Sequence, residues 1–310
     1  MTVEQESRRT GSPADWASAP IVAGVDGSGA ALDAVRWAAR DAARLGVPLR
    51  LVHACHHGDR TADAFGLTAP DIGAELRARG AGHLRAAATV ARVAEPGLRI
   101  ESRLCEGDPR VVLRHEAQDA ATVVLGHDGP GAFGGLAFGS CALALAVHGR
   151  CAVVVVRGRV TDQGDVVAGV DRGPESIAAA RYAMQVAALF GTGVTALRTW
   201  TSTVGDSAVR HEAARRELIE QMAPLAAEFP TVPVEYVVLR GRPGRTLLEF
   251  GEHARLLVVG THGSGAVAGL IFGSTSQSLA LRAPCPVAVV PVELPARLVE
   301  RALHRKETTS

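Results

Sequence analysis

Short apolar runs rich in β-branched residues alternate along the chain with longer stretches whose apolar positions recur every three to four residues, and the whole alternation occurs twice. In the first half, residues 20–25, 49–54, 98–104, 121–125 and 151–156 predict five strands. Helical periodicity covers residues 30–45, 72–93, a segment to residue 118 opened by Gly107-Asp108-Pro109, and 140–147. The second half repeats the order, with strands at 166–170, 194–199, 234–239, 256–259 and 285–291. Its helices are predicted at 177–190, 208–227, after Gly241-Arg242-Pro243, and at 274–281. The first helix shows the logic: Leu32, Val35, Ala39 and Ala42 share one side, Arg36, Arg40 and Arg44 the other, and Gly46 stops it, as Gly191 stops its counterpart. Apolar strands that alternate with helices need crossover connections and cover on both faces. The expected class is therefore α/β, with two tandem doubly wound domains, each a five-stranded parallel sheet. The expected limits are a disordered tail at 1–18, a first domain at 19–158, a linker at 159–164, a second domain at 165–293 and a tail at 294–310.

After the fourth strand of each half the chain enters a glycine loop. Val124-Leu125-Gly126-His127-Asp128-Gly129 is followed by nine residues and then Gly139-Ser140; Val258-Val259-Gly260-Thr261-His262-Gly263 is followed by nine and then Gly273-Ser274-Thr275-Ser276. All three glycines recur with an offset of 134 positions. A strand that runs through glycines into a helix beginning at Gly-Ser aims backbone N–H groups at an anion, so the repeat reads as a phosphate cradle. Ligands of open parallel sheets bind beyond the carboxyl ends of the strands, where the strand order reverses. If strands one and four are neighbours, Asp26 faces the crevice of Gly126, and Asp171 that of Gly260. The plainer roles for the same residues are turning the chain or capping a helix for the aspartates, and turn formation for the glycines.

Composition narrows the chemistry. The net charge is +1 with arginines scattered, which suggests no nucleic-acid face. Lysine occurs once, as Lys306, so no P-loop lysine is present in either domain. Gly129-Pro130-Gly131-Ala132-Phe133-Gly134 matches a dinucleotide fingerprint, but it follows the fourth strand and lacks the acid expected some twenty residues on. Five dispersed cysteines (Cys55, Cys105, Cys141, Cys151, Cys285) suit reduced thiols in a cytoplasmic protein. His53, Cys55, His56 and His57 cannot converge on a metal, because neighbours on a strand face opposite ways. The polar N-terminus has no apolar core of a signal peptide. The uncharged stretch 129–147 reads as loop plus buried helix rather than a membrane span. No nucleophile with an adjacent base can be picked out, so no catalytic residue is assigned.

The Gly-x2-Gly-x9-Gly-Ser/Thr motif, the Gly-Val-Asp segment ending strand one and the Cys-Pro-Val last strand together resemble the universal stress protein family, here as a tandem member over residues 20–292. The resemblance implies strand order 3-2-1-4-5 in each domain and a bound adenine nucleotide, ATP with or without Mg²⁺. It implies that Gly24, Val25, Asp26, Gly169, Val170 and Asp171 meet adenine and ribose, with Ala54 and Thr199 bordering the base. Gly126, Gly129, Gly139 and Ser140, and Gly260, Gly263, Gly273, Ser274, Thr275 and Ser276, would hold ribose and phosphates, and His262 suits an anion. The first copy departs from the pattern at Asp128 and Cys141-Ala142, the second at Arg172-Gly173. The expected function is an ATP-binding stress or regulatory protein whose occupancy is the signal. The alternatives are a Mg²⁺-dependent ATPase or nucleotidyl-transfer enzyme with Asp26, Asp128 or Asp171 holding the metal, and an adaptor whose fifth strands pair edge to edge. That pairing would join the two domains as a pseudo-dimer or make a homodimer.

Overall fold

The computed structural model describes residues 19–56, 69–127, 142, 145–146, 151–201, 207–262 and 273–292. Its first half supplies β1 (Ile21–Gly24), α1 (Gly29–Leu45), β2 (Leu49–Cys55), α2 (Ala69–Ala94), β3 (Ile100–Glu106), α3 (Pro109–Glu116), β4 (Thr122–Gly126) and β5 (Ala152–Val156). The second supplies β6 (Val166–Gly169), α4 (Pro174–Phe190), β7 (Val194–Trp200), α5 (Ser207–Glu228), β8 (Val234–Arg240), α6 (Pro243–Gly251), β9 (Leu256–Gly260), α7 (Ser274–Arg282) and β10 (Val287–Val290). Of the helix expected at 140–147, Ala142, Leu145 and Ala146 are described, and all three are helical and buried. The tails fall outside the described residues.

Several boundaries differ from expectation, three of them for plain local reasons. β3 starts at Ile100 rather than Leu98, because the Leu98 N–H turns back to the Glu95 carbonyl at 3.1 Å. α4 begins three residues early, with Pro174 as its first residue, where the missing N–H costs nothing. β10 is confined to four residues between Pro286 and Pro291, neither of which can donate to a ladder.

One ten-stranded sheet runs β3-β2-β1-β4-β5-β10-β9-β6-β7-β8, which is the order 3-2-1-4-5 met twice from opposite ends. Strands within each half are parallel, and β5 meets β10 antiparallel with Val153 opposite Val289, Val154 opposite Ala288 and Val155 opposite Val287. The two fifth strands thus shield each other. The outer edges, β3 and β8, carry Glu101, Arg103, Glu106, Glu235 and Arg240, charges that discourage further pairing. Because the halves run in opposite senses, the carboxyl ends of their strands point to opposite ends of the sheet.

Alternating strand residues feed two cores. Ile21, Ala23, Leu49, Leu51 and Val154 pack with the alanine faces of α1 and α2, and Val166, Ala168 and Val258 pack with α4 and α5, in one continuous layer. Val22, Val123, Val153, Leu257 and Val259 form the other layer with Leu113, Leu247 and Leu279 of α3, α6 and α7. Truncating a fully buried leucine of either layer, Leu51 or Leu257, to alanine would cost about 2–5 kcal/mol.

Candidate functional site

β1 and β4 are parallel neighbours with Ala23 opposite Val124, and β6 and β9 likewise with Ala168 opposite Val258. Asp26 and Gly126 therefore lie at the same edge of adjacent strands, as do Asp171 and Gly260. Both aspartates are half-buried and shape the turn that follows: Asp26 Oδ1 accepts from the Ser28 N–H at 2.9 Å, and Asp171 Oδ1 from the Gly173 N–H at 2.8 Å. Ser28 then caps α1, its hydroxyl accepting from the Ala31 N–H at 3.1 Å. Gly173 has no side chain to do this, and Pro174 at the first helical position removes one of the first-turn N–H groups that lack an intrahelical partner. Buried Ser176 ties the second turn down, donating to the carbonyls of Asp171 (2.9 Å) and Gly173 (2.8 Å).

The first glycine of each loop has a local reason to be glycine. A Cβ at Gly126 would lie 2.6 Å from the backbone carbon of Ala30, and one at Gly260 2.8 Å from Cβ of Glu175. The first turn of α1 or α4 rests on the end of the fourth strand, and only a residue without a side chain admits it. Gly24 and Gly169 lie against side-chain ends instead, with Leu125 at 2.5 Å and Leu247 at 3.1 Å from the added carbon, neighbours that can shift.

The strand-two side of the crevice differs between the halves. Ala54 and Thr199 are half-buried near the ends of β2 and β7, opposite Cys105 and Leu239. One residue before Ala54, His53 Nδ1 donates to the Val25 carbonyl at 2.6 Å. His83 of α2 meets His53 edge-on at 5.2 Å and fills the space beside Gly27, whose φ of 88° lies in the left-handed region. Burial pulls the His83 pKa below the usual imidazole value, with His53 and Arg79 acting the same way and Asp26 opposing them. In the second half Arg198 takes the place of His53. It donates to the carbonyls of Val170 (3.3 Å) and Asp171 (3.0 Å) and to the side chain of Gln221, whose Nε2 also reaches the Asp171 carbonyl at 2.8 Å. Glu217 joins this group through Arg198 (3.5 Å) and Arg172 (2.8 Å). Sequence reasoning missed both braces. Their only signal is a polar residue closing an apolar strand, as in Leu51-Val52-His53 and Ala196-Leu197-Arg198.

On the phosphate side, Gly273 precedes α7, and no side chain of the described residues caps that helix. The Gly273 N–H bonds the Thr261 carbonyl at 3.0 Å, and the Thr261 N–H the Val290 carbonyl at 3.2 Å, so the loop's two ends are pinned together. Ser274 is exposed and Thr275 half-buried, whereas Ser276 is buried and donates to the Gly260 carbonyl at 2.7 Å. The Ser276 hydroxyl thus latches helix to strand. Its counterpart in the first half is Ala142, which is buried and has no hydroxyl to donate. His262 is half-buried with Nδ1 3.3 Å from the Thr261 hydroxyl, and His127 Nδ1 donates to the Val156 carbonyl at 3.3 Å. Gly129, Gly139, Ser140 and Gly263, with Asp128 and Cys141, lie outside the described residues. Among the described residues no group of three or more His, Cys, Asp or Glu side chains could hold a metal ion, and no helix is long and apolar enough to cross a membrane.

The model of the universal stress protein family matches residues 18–157 and again 164–291. A universal stress protein of Mycobacterium tuberculosis is 30% identical over 287 residues, covering 87% of this chain and 96% of its own. One from Mycolicibacterium smegmatis is 32% identical over 285 residues, covering 87% and 96%. The crystal structure of a universal stress protein from Archaeoglobus fulgidus superposes with a TM-score of 0.68 at 20% identity, covering 88% of this chain and 96% of that one.

Proposed function

The chain belongs to the universal stress protein family as a tandem member, and on that premise we propose that it is a cytoplasmic adenine-nucleotide-binding regulatory protein whose occupancy, not turnover, is the signal. The observation that carries this reading is the shared edge of β6, β9 and α7. There the Asp171 carboxylate and a helix start without a side-chain cap stand at the mouth of one crevice. The carboxylate accepts from ribose hydroxyls or the adenine amino group, and the first-turn N–H groups of α7, with Ser274 and Thr275, donate to phosphate oxygens. Ser276 contributes indirectly, since its hydroxyl is spent on Gly260. ATP supplies the negative charge that such a helix start favours, and Mg²⁺ enters with the phosphates. The second crevice is the better fitted, because the first has Ala142 in place of the Ser276 latch.

Calorimetry of the full chain with ATP tests the proposal. Binding is expected, with the stronger site weakened in Asp171→Ala by about tenfold or more, the loss of a charge-assisted hydrogen bond. Heat uptake absent at millimolar ATP would end the nucleotide reading. Rapid phosphate release in the same samples would replace occupancy with turnover.

A further inference from the structure

α7, whose start stands at the second crevice, is held at its far end by the other half of the chain. It spans nine residues, Ser274–Arg282, and ends where Ala283 turns to an extended ψ of 140°. The Ala283 N–H closes on the Leu279 carbonyl at 2.8 Å. The next carbonyl of the helix, that of Ala280, would accept from the N–H of residue 284, and that residue is a proline. Ala280 is only 1% exposed, so water is no substitute. Arg157 supplies the donor, its Nη1 reaching the Ala280 carbonyl at 2.6 Å.

Arg157 directly follows β5, at the carboxyl edge of the first half's strands. Because the halves run in opposite senses, that edge is where α7 of the second half ends. The chain is clamped there. Gly158 has φ of 59°, and a Cβ on it would lie 2.1 Å from the Pro284 carbonyl oxygen, so the segment passes this close only as glycine. The Arg159 N–H donates to the same oxygen at 2.7 Å, and its guanidinium donates at 3.1 Å to the carbonyl of Glu252, the C-cap of α6. The sequence does not repeat the device. By the offset of 134 positions, Pro284 answers to Arg150, which carries the N–H that proline lacks, and Arg157 answers to Pro291, which offers no donor.

We propose that Arg157 is a positioning residue for the second crevice, so that the nucleotide site there is built by both halves of the chain; the inference rests on the nucleotide reading above. A nine-residue helix is a rod of about 13 Å. Ser276 fixes its first turn to Gly260, and Arg157 fixes its last. The guanidinium also complements the negative end of the helix dipole. Without it the buried Ala280 carbonyl loses the donor that stands in for the missing N–H of Pro284, and the last turn must shift toward water to recover one. A rod this short carries that shift to the first-turn N–H groups, whose aim at phosphate is what the site depends on.

Calorimetry with ATP and hydrogen–deuterium exchange, both on the full chain, test this together. In Arg157→Met the stronger ATP site is expected to weaken about threefold to tenfold, the worth of one hydrogen bond to phosphate. The Gln277 amide, which makes the first helical bond of α7 to the Gly273 carbonyl at 3.1 Å, is expected to lose protection relative to the amides of β9 in the same variant without nucleotide. Arg159→Met, which cuts the other arm of the clamp and leaves Ala280 served, is expected to change neither. Unaltered ATP affinity in Arg157→Met, or an equal loss in Arg159→Met, overturns the proposal. If the wild type binds no ATP, the nucleotide reading fails on its own account, and unaltered Gln277 protection is then the result that overturns the role of Arg157. Should Arg157→Met not fold, Arg157→Lys takes its place and is expected to show a smaller loss on both readouts; no loss on either overturns the proposal.

Discussion

At the end of β1 the Val25 carbonyl is held by the ring of His53, whereas at the end of β6 the carbonyls of Val170 and Asp171 are held by Arg198 together with Gln221. The two backbones have the same course, and the two braces share no chemistry beyond a donor reaching across from strand two. Both first strands are only four residues long, so the chain leaves the ladder while its last carbonyls still need partners. That requirement fixes the position of a donor and leaves its identity open. The first half meets it with one bond from a histidine set edge-on against another histidine. The second uses a guanidinium only 6% exposed that also gathers Glu217 and, through it, Arg172.

The largest test of this difference is to remove each brace. Arg198→Met is expected to cost about 3 kcal/mol, because it strips donors from two carbonyls at a buried position and leaves Gln221 alone on Asp171. His53→Met removes one bond and is expected to cost about 1 kcal/mol. Urea unfolding of the two variants measures both. Equal losses would show that the wider network around Glu217 adds nothing.

Much of the architecture was legible because it repeats locally. The apolar runs, the stops at Gly46 and Gly191 with φ of 66° each, and the doubled glycine spacing give the elements and their repeat without knowledge of any distant contact, while the strand order came from the family resemblance. What was not legible depends on residues far apart in the chain. Gly126 reads as a loop glycine, yet the atoms that exclude a side chain there belong to Ala30. Ser274, Thr275 and Ser276 look interchangeable as hydroxyls, and the phase of α7 turns only the last of them inward.

Ser276 offers the next test, since Ser276→Ala gives the second half the arrangement of the first. The variant leaves the buried Gly260 carbonyl without that donor and is expected to lose about 1–2 kcal/mol. Its nucleotide affinity should change less than the affinity of a Thr275→Ala variant. A Ser276→Ala protein of undiminished stability and much weaker ATP binding would return the hydroxyl to the ligand.

The smallest expected effect lies at the helix starts. Ser28 caps α1 through the Ala31 N–H, while α4 starts from Gly173 with Pro174 at its first position. Ser28→Ala is expected to cost about 1 kcal/mol in urea unfolding, and Ser28→Gly only a few tenths, because glycine lets water reach the orphan N–H groups while alanine covers them. The bond from the residue 28 N–H to Asp26 Oδ1 is made by backbone and survives both changes. If neither variant loses stability, the hydroxyl is not what holds the first turn of α1, and the turn set by Asp26 is enough in the first half, as the turn set by Asp171 is in the second.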